Sequence, residues 1–187
     1  MALNRCSWAN HSNLETQYHD TEWGVPVHDD RVHFEFITLE GAQAGLSWHT
    51  ILQKRENYRR LFDQFDPQKI ALYDDKKIQS LLMDPGIIRN KLKVNSTVSN
   101  AQAFLKIQQK HETFDNYIWQ FTDHKVIQNH PKLPSDVPAN SALSDLISKQ
   151  LKKDGFKFVG TTIIYSYLQA VGIINDHLTS CFCYSKS

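Results

Sequence analysis

Residues 39–48 run Leu39-Glu40-Gly41-Ala42-Gln43-Ala44-Gly45-Leu46-Ser47-Trp48. Just before them, Val32, Phe36 and Ile37 carry the apolar spacing of a core-facing helix. The ten residues interrupt that period with two glycines, a carboxylate, an amide and an indole. Gly41 and Gly45 allow backbone to approach a neighbour or a ligand, and Trp48 offers a flat apolar face. Glu40 stands where the period calls for a buried side chain. A half-buried carboxylate needs a hydrogen-bonding partner, which a ligand could supply. The alternative is a tight helix-to-helix turn in which Glu40 caps the next helix or pairs with an arginine.

Working outward, the period stays helical. Ile51, Arg55, Tyr58 and Phe62 fall at i, i+4, i+7 and i+11, and Asp66-Pro67 places a cap and a first-turn proline for a short helix through Leu72. Asp74 or Asp75 starts a helix carrying Ile78, Leu81 and Leu82 that stops at Asp84-Pro85-Gly86. A long helix follows with Leu92, Val98, Ala101 and Leu105 on one side. Thr113 caps a helix through Phe121, and a proline-rich loop spans Asn129 to Asn140. Asn140 or Ser141 opens a helix with Leu143, Leu146, Ile147 and Leu151 inward, ending before Gly155. Phe156-Lys157-Phe158-Val159 alternates, but one strand has no partner, so it is expected to be an extended connection packed in the core. Thr161 or Thr162 then starts a helix with Ile164, Tyr167, Leu168 and Val171, closed by Gly172. The expected class is all-α, one compact unit over residues 1–187, without repeats or linkers.

The chain has 187 residues, 41% of them hydrophobic and 22% charged, enough for one ordinary core. No run of about 18 apolar residues and no basic-then-apolar leader occurs, so no membrane partner and a cytoplasmic location are expected. A net charge of +1 excludes global polycation behaviour, and any nucleic-acid contact must come from local patches. Three are present: Lys54, Arg55, Arg59 and Arg60; Arg89, Lys91 and Lys93; Lys152, Lys153 and Lys157. Each could equally be a solvated helix face. Cys6, Cys181 and Cys183 all lie near the chain ends, which in a reducing compartment points to a metal more than to a disulfide.

Four patterns could carry chemistry. His177 and Cys181, four apart, would share a helical turn, and Cys6 and His19 could complete a closed, structural Cys2His2 zinc site; Cys183, His11 and His28 are competing donors, and the alternative is an apolar Cys pair and two surface histidines. Trp8, Tyr18, Trp23 and Trp48 could wall a pocket for an extruded base, with Glu40 accepting hydrogen bonds from its edge; core packing is the plainer use of tryptophan. The turn Gly86-Ile87-Ile88-Arg89-Asn90-Lys91-Leu92-Lys93 joins two helices and could cradle a phosphate with freed amides and three cations, or be an ordinary helical hairpin. His33-Phe34-Glu35 matches the His-x-Glu of zinc deaminases, but their Pro-Cys-x-x-Cys is missing. Glycine-rich phosphate loops, nucleophile elbows and dinucleotide fingerprints are also missing.

Several blocks together resemble the bacterial 3-methyladenine DNA glycosylase I family, the constitutive type. They are Tyr18-His19-Asp20-x-Glu22-Trp23-Gly24-x-Pro26, the 39–48 stretch, Gly86-Ile87-Ile88-Arg89, Gly155-Phe156-Lys157-Phe158-Val159-Gly160 and Asn175-Asp176-His177, and the likeness runs from about Cys6 to Cys183. The resemblance implies a helix-hairpin-helix glycosylase fold, with that motif at about residues 75–110, and two helical lobes enclosing a base pocket. It implies base-excision repair of alkylated double-stranded DNA by a monomer that releases 3-methyladenine. It makes Cys6, His19, His177 and Cys181 the ligands of one structural zinc, and Glu40 and Tyr18 the groups contacting the base edge. Trp48 stacks on the base, with Trp8 and Trp23 nearby. Gly45 and Leu46 belong to the DNA-inserting loop, and Gly86, Ile88, Arg89 and Lys91 to the backbone-contacting hairpin.

The implied chemistry is coherent. Methylation at N3 makes the purine of the nucleoside cationic and weakens its glycosidic bond, so little acid catalysis is required. Relatives on the same fold use an aspartate to support the sugar cation; no Asp occurs between Gly86 and Phe114, in keeping with a family that lacks it. No lysine stands in the pocket motif, so base release without strand cleavage is expected. Two departures stand out: Glu15 where relatives often place an aromatic, and Asn90 where a histidine is common. A noncatalytic binder of damaged DNA, or a pocket for a free purine, would share these motifs.

Overall fold

The structure is a computed structural model that describes residues 3–185. Its nine α-helices, among the described residues, are α1 (Asn13–Thr21), α2 (Asp30–Gln43), α3 (Trp48–Leu61), α4 (Pro67–Ile70), α5 (Asp75–Met83), α6 (Lys91–His111), α7 (Phe114–Trp119), α8 (Ala142–Lys153) and α9 (Thr161–Ala170). Short side chains fix most of the starts. Ser12, Asp29, Ser47, Asp66, Asp74, Asn90, Thr113 and Ser141 each accept a hydrogen bond from a first-turn amide that has no partner inside its helix.

The centre is α2. Every residue from His33 to Ala42 is buried, so this helix is enclosed on all sides, with α9, α3, α6 and α7 packed around it. It runs on through Glu40 and Gly41 to Gln43, so the helix ends within the 39–48 stretch that breaks the apolar pattern. Gly41 is small for a packing reason: a Cβ there would lie 3.2 Å from Cβ of Phe158, in the segment that crosses α2. That segment is irregular, with Phe156 and Val159 buried, matching the extended connection read from sequence.

Three expectations need correction. The class is mostly helical but not wholly so, because β1 (Ile127–Gln128) pairs in parallel with β2 (Ile174–Asn175). Leu92 is 70% exposed and Leu146 55% exposed; the inward side of α6 is instead Val94, Val98, Ala101, Phe104 and Ile107. His177 and Cys181 do not lie on a helix, but in the turns that follow β2.

The end of α9 is tied to the α1–α2 connection, where Gly24 and Val27 donate backbone hydrogen bonds to Gln169 and Val171. Gly172 adopts φ +71°, and a Cβ on it would sit 2.4 Å from the carbonyl carbon of Val25. Backbone cannot move aside as a flexible side chain can. Gly172→Ala is therefore expected to cost about 3 kcal/mol or more, read as a lower denaturant midpoint with an unchanged slope.

Candidate active site

Three ionisable side chains lie on the enclosed part of α2, and two are neutralised by partners. His33 is buried between the hydroxyl of Tyr167 (2.7 Å) and the carboxylate of Asp115 (3.0 Å). Glu35 accepts from Arg55 at 2.5 Å and from Arg59 at 3.0 Å. His33-Phe34-Glu35 is thus consumed by packing, and Arg55, which also pairs with Glu22 at 2.8 Å, is no part of a surface patch. Arg59 and Arg60 are likewise paired, with Glu35 and Asp84 respectively.

Glu40 is the exception. It is 4% exposed, its Oε2 is buried without a hydrogen-bond partner among the described residues, and burial pushes its carboxyl up to about 8. It neither caps α3, a role taken by Ser47, nor pairs with an arginine. It opens into a cavity of about 390 Å³, a usual size for a small-molecule site. Two other polar atoms on the cavity wall are buried and unpaired, the Tyr18 hydroxyl and the Trp48 indole Nε1–H. Unpaired buried polar atoms are uncommon and costly, and three sharing one hollow mark a place that a polar ligand fills. Burial, with Glu40 close by, holds the Tyr18 phenol far above its ordinary range, so it remains a donor.

The walls are aromatic. Tyr18 and Trp48 lie 5.4 Å apart by ring centroids, with Phe36 behind Tyr18 at 6.3 Å. Trp8 and Trp23 meet edge to face at 5.1 Å. The sequence-derived pocket residues Tyr18, Glu40, Trp8, Trp23 and Trp48 all line this one cavity. Sequence reasoning missed Gln43, Ser166, Gln169, Asp176, Pro134 and Val137. Asp176 carried a signal, since it stands in the Asn175-Asp176-His177 block; it accepts from Asn129, Tyr165 and Gln169 at 2.6–2.7 Å.

Behind Trp8 and Trp23 lies a cluster of four buried donors. The ligand atoms of Cys6, His19, His177 and Cys181 all fall within 4.8 Å of one another. Three contacts are given by Cys6 Sγ to His177 Nδ1 (3.8 Å), Cys181 Sγ to His19 Nε2 (3.4 Å) and Cys181 Sγ to His177 Nδ1 (3.7 Å). A tetrahedral ion with sulfur and nitrogen at about 2.3 and 2.0 Å has edges of about 3.3–3.8 Å. Each ring's other nitrogen is engaged: His19 Nδ1 donates to Asp20 (2.9 Å) and His177 Nε2 to the Trp23 carbonyl (3.1 Å), leaving the remaining lone pairs aimed at the cluster. Asp20 is itself held by Arg5. Burial lowers His177 to about 4 and pushes the Cys6 thiol up to about 12. Neutral imidazoles and thiols that only a cation would hold as thiolates fit a metal ion. Trp23 lies 4.6 Å from His177 and Trp8 5.3 Å from His19, so the cluster backs the cavity wall.

The residues assigned to DNA contact occupy two turns. Gly45, at φ +79°, and Leu46, 41% exposed, form the α2–α3 turn, beside a smaller hollow that shares Glu40 and Gln43 with the main cavity. Gly86, Ile88, Arg89 and Lys91 lie between α5 and the start of α6. Part of the expected amide cradle is used within the fold: Gly86 N–H donates to Asp84, Ile88 N–H to the Tyr58 hydroxyl, and the Leu92 and Lys93 amides to Asn90. Lys93 points inward, donating to the Ala42 and Ala44 carbonyls at 2.8 and 2.7 Å. It thereby ties the two turns together, while Arg89 and Lys91 remain exposed.

A mostly helical protein with a purine-sized, ring-walled pocket holding an unpaired carboxyl has the form of one that grips a nucleobase. A family model described as methyladenine glycosylase matches residues 8–184. The chain is 47% identical to DNA-3-methyladenine glycosylase 1 of Escherichia coli, over 97% of each protein. It is 44% identical to DNA-3-methyladenine glycosylase of Haemophilus influenzae, over 96% of this chain and 97% of that one. Among solved structures, a crystal structure of 3-methyladenine DNA glycosylase I superposes with a TM-score of 0.94 at 48% identity, covering 96% of this chain and 99% of the other. The Staphylococcus aureus enzyme, solved for the structural basis of its 3-methyladenine recognition, gives 0.93 at 34% identity, covering 97% of each. The chain belongs to the methyladenine glycosylase family.

Proposed function

We propose that the protein hydrolyses the N-glycosidic bond of 3-methyladenine in alkylated double-stranded DNA, freeing the base and leaving an abasic site. The observation that carries this reading is the buried, unpartnered carboxyl of Glu40 facing a cavity walled by Tyr18 and Trp48. A purine methylated at N3 is cationic while joined to its sugar, and the Glu40 carboxylate attracts that charge and accepts hydrogen bonds from amino or ring N–H groups. Trp48 stacks on the ring, Tyr18 offers its hydroxyl to the edge, and Trp8 and Trp23 close the far wall. Because the base leaves readily, Glu40 acts by recognition and electrostatics, not as a general acid. The gain in rate comes from holding the stretched bond and departing base better than the intact nucleotide. Normal adenine has neither the charge nor the weakened bond, so selectivity follows from the same groups.

No lysine lines the cavity among the described residues, which supports a monofunctional enzyme with no Schiff-base step; borohydride should trap no covalent DNA adduct. We assign α5, the turn and α6 as the helix-hairpin-helix, with Gly45 and Leu46 entering the duplex. Since several of the hairpin amides are engaged within the fold, the exposed Arg89 and Lys91 supply the main phosphate contacts. Arg89→Glu with Lys91→Glu is expected to weaken duplex binding at every sequence and to flatten the salt dependence by about two phosphates' worth, roughly 1.8 in log–log slope. Binding of free 3-methyladenine should not change.

Cys6, His19, His177 and Cys181 fit zinc, which would close the site structurally and join the two chain ends. We read the protein as a monomer acting as a single unit of two helical lobes. Among the described residues no helix is long and apolar enough to cross a membrane, and the substrate places the enzyme with the chromosome in the cytoplasm. Incubating the protein with methylated DNA and identifying released bases chromatographically tests the reading: free 3-methyladenine is expected. Tight binding with no released base would instead make the protein a noncatalytic damage binder.

A further inference from the structure

Besides Glu40, and Asp176 with its three hydrogen bonds, the cavity has a carboxyl that the proposed chemistry does not use. Glu15 sits on α1 one turn before Tyr18, is 8% exposed, and lines the same hollow as Glu40. Its Oε2 accepts from the Ser12 hydroxyl at 2.8 Å, and its backbone N–H donates to the Ser12 oxygen at 3.2 Å. Since the one Ser12 proton goes to Glu15, the 3.1 Å contact between Ser12 Oγ and His49 Nδ1 must be donated by the ring. His49 Nδ1 also lies 3.5 Å from Glu15 Oε2. Both contacts of the Glu15 carboxylate fall on Oε2, and Oε1 has no partner among the described residues.

Ser12 caps α1 and His49 is the second residue of α3, so the cluster joins the starts of the two helices that carry Tyr18 and Trp48. An apolar or aromatic side chain could hold that corner by packing alone. A carboxylate with one oxygen held by the protein and the other uncommitted does something more, adding a further negative group to a pocket meant for a cation.

Resting on the reading of the cavity as a base pocket, we propose that Glu15 is a specificity-determining residue that draws the charged purine into the pocket. The charge argument also fixes which kinetic constant responds. Before cleavage the positive charge is on the base; as the bond breaks, it passes to the sugar and the base leaves neutral. A carboxylate that acts on the base through its charge alone, unlike Glu40 with its hydrogen bonds to the departing base, therefore favours the bound substrate at least as much as the transition state. Its loss should appear in KM, with kcat held or slightly raised.

The test is Glu15→Gln, which keeps the side-chain size and an acceptor for Ser12. With methylated duplex as substrate, KM for 3-methyladenine release is expected to rise about tenfold and kcat to change less than about twofold, the effect of one lost charge contact. The melting temperature should stay within about two degrees of the parent. His49→Ala, which removes the ring competing for Glu15, should leave KM unchanged or lower it. Unchanged KM in Glu15→Gln, or a lower melting temperature with neither constant moved, would make Glu15 a structural clip and overturn the proposal. Failure of the unmodified protein to release any base would overturn the functional reading itself, so the two are told apart in one assay.

Discussion

Glu40→Gln is expected to lower kcat/KM for 3-methyladenine release by about a hundredfold or more, the loss usual for a buried group aimed at developing or departing charge, while making the protein more stable above neutral pH. Both halves follow from one fact: burial pushes the Glu40 carboxyl up to about 8. An unfolded glutamic acid ionises near 4.5. The stabilisation from the protonated form is thus complete below that value and is lost as pH rises toward 8, amounting to a few kcal/mol across the window. Glutamine cannot ionise, so the melting temperature of the parent protein should fall relative to the variant between pH 5 and pH 8. Activity has the opposite slope. A cationic purine binds best to the ionised carboxylate, so kcat/KM of the parent should climb with pH until about 8, while the variant shows no such limb. The pocket is built at the expense of stability, and the ligand supplies the missing partner. A variant that released base at the parental rate while binding free 3-methyladenine normally would remove Glu40 from the mechanism.

The second large effect is at the Cys6, His19, His177 and Cys181 cluster proposed to hold zinc. Cys181→Ser is expected to abolish stoichiometric zinc, measured by elemental analysis, and to lower the melting temperature by roughly 10 °C or more, since a structural ion bound only by the folded chain adds its binding energy to folding. The damage should reach the pocket. The cluster brings residues 4–6 against residues 177–183, with Phe182 N–H donating to the Asn4 carbonyl at 2.9 Å. Its two imidazoles touch Trp8 and Trp23. Tryptophan emission should therefore shift in the metal-free variant even at temperatures where helix content is intact. Full stability and unchanged emission without metal would show that the four donors need no ion.

What the sequence disclosed follows from the range of the interactions. Helix starts were legible because a cap acts within three residues: Asp66, Thr113 and Ser141 do what their positions announce. The β1–β2 pair was not, because two residues at 127–128 meet two at 174–175 and neither segment carries a strand pattern of its own. Arg55 illustrates the same limit. In sequence it belongs to a basic run, but its place on the inward side of α3 sets it between Glu22 and Glu35, where it becomes part of the core. Lys93 was grouped with Arg89 and Lys91 by spacing, whereas the carbonyls left open at the end of α2 draw it inward. His177 and Cys181 met as expected but through turns, since four-residue spacing is necessary for a helical turn and does not create one. Composition and period alone left the pocket and cluster open between chemistry and packing; the joint family motifs named the residues, and the fold brings Tyr18, Glu40 and Trp48 around one cavity and Cys6, His19, His177 and Cys181 around another point.

The most direct test of the central claim is a titration of the protein with free 3-methyladenine, following the indole N–H resonances by NMR, with the Trp48 signal assigned through Trp48→Phe. Trp48 lines the cavity together with Glu40 and its buried Nε1–H has no partner among the described residues, so its resonance should move and saturate at one base per chain, with much weaker binding in Glu40→Gln. An unmoved Trp48 resonance, or equal binding after the Glu40 substitution, would mean that the purine is held elsewhere.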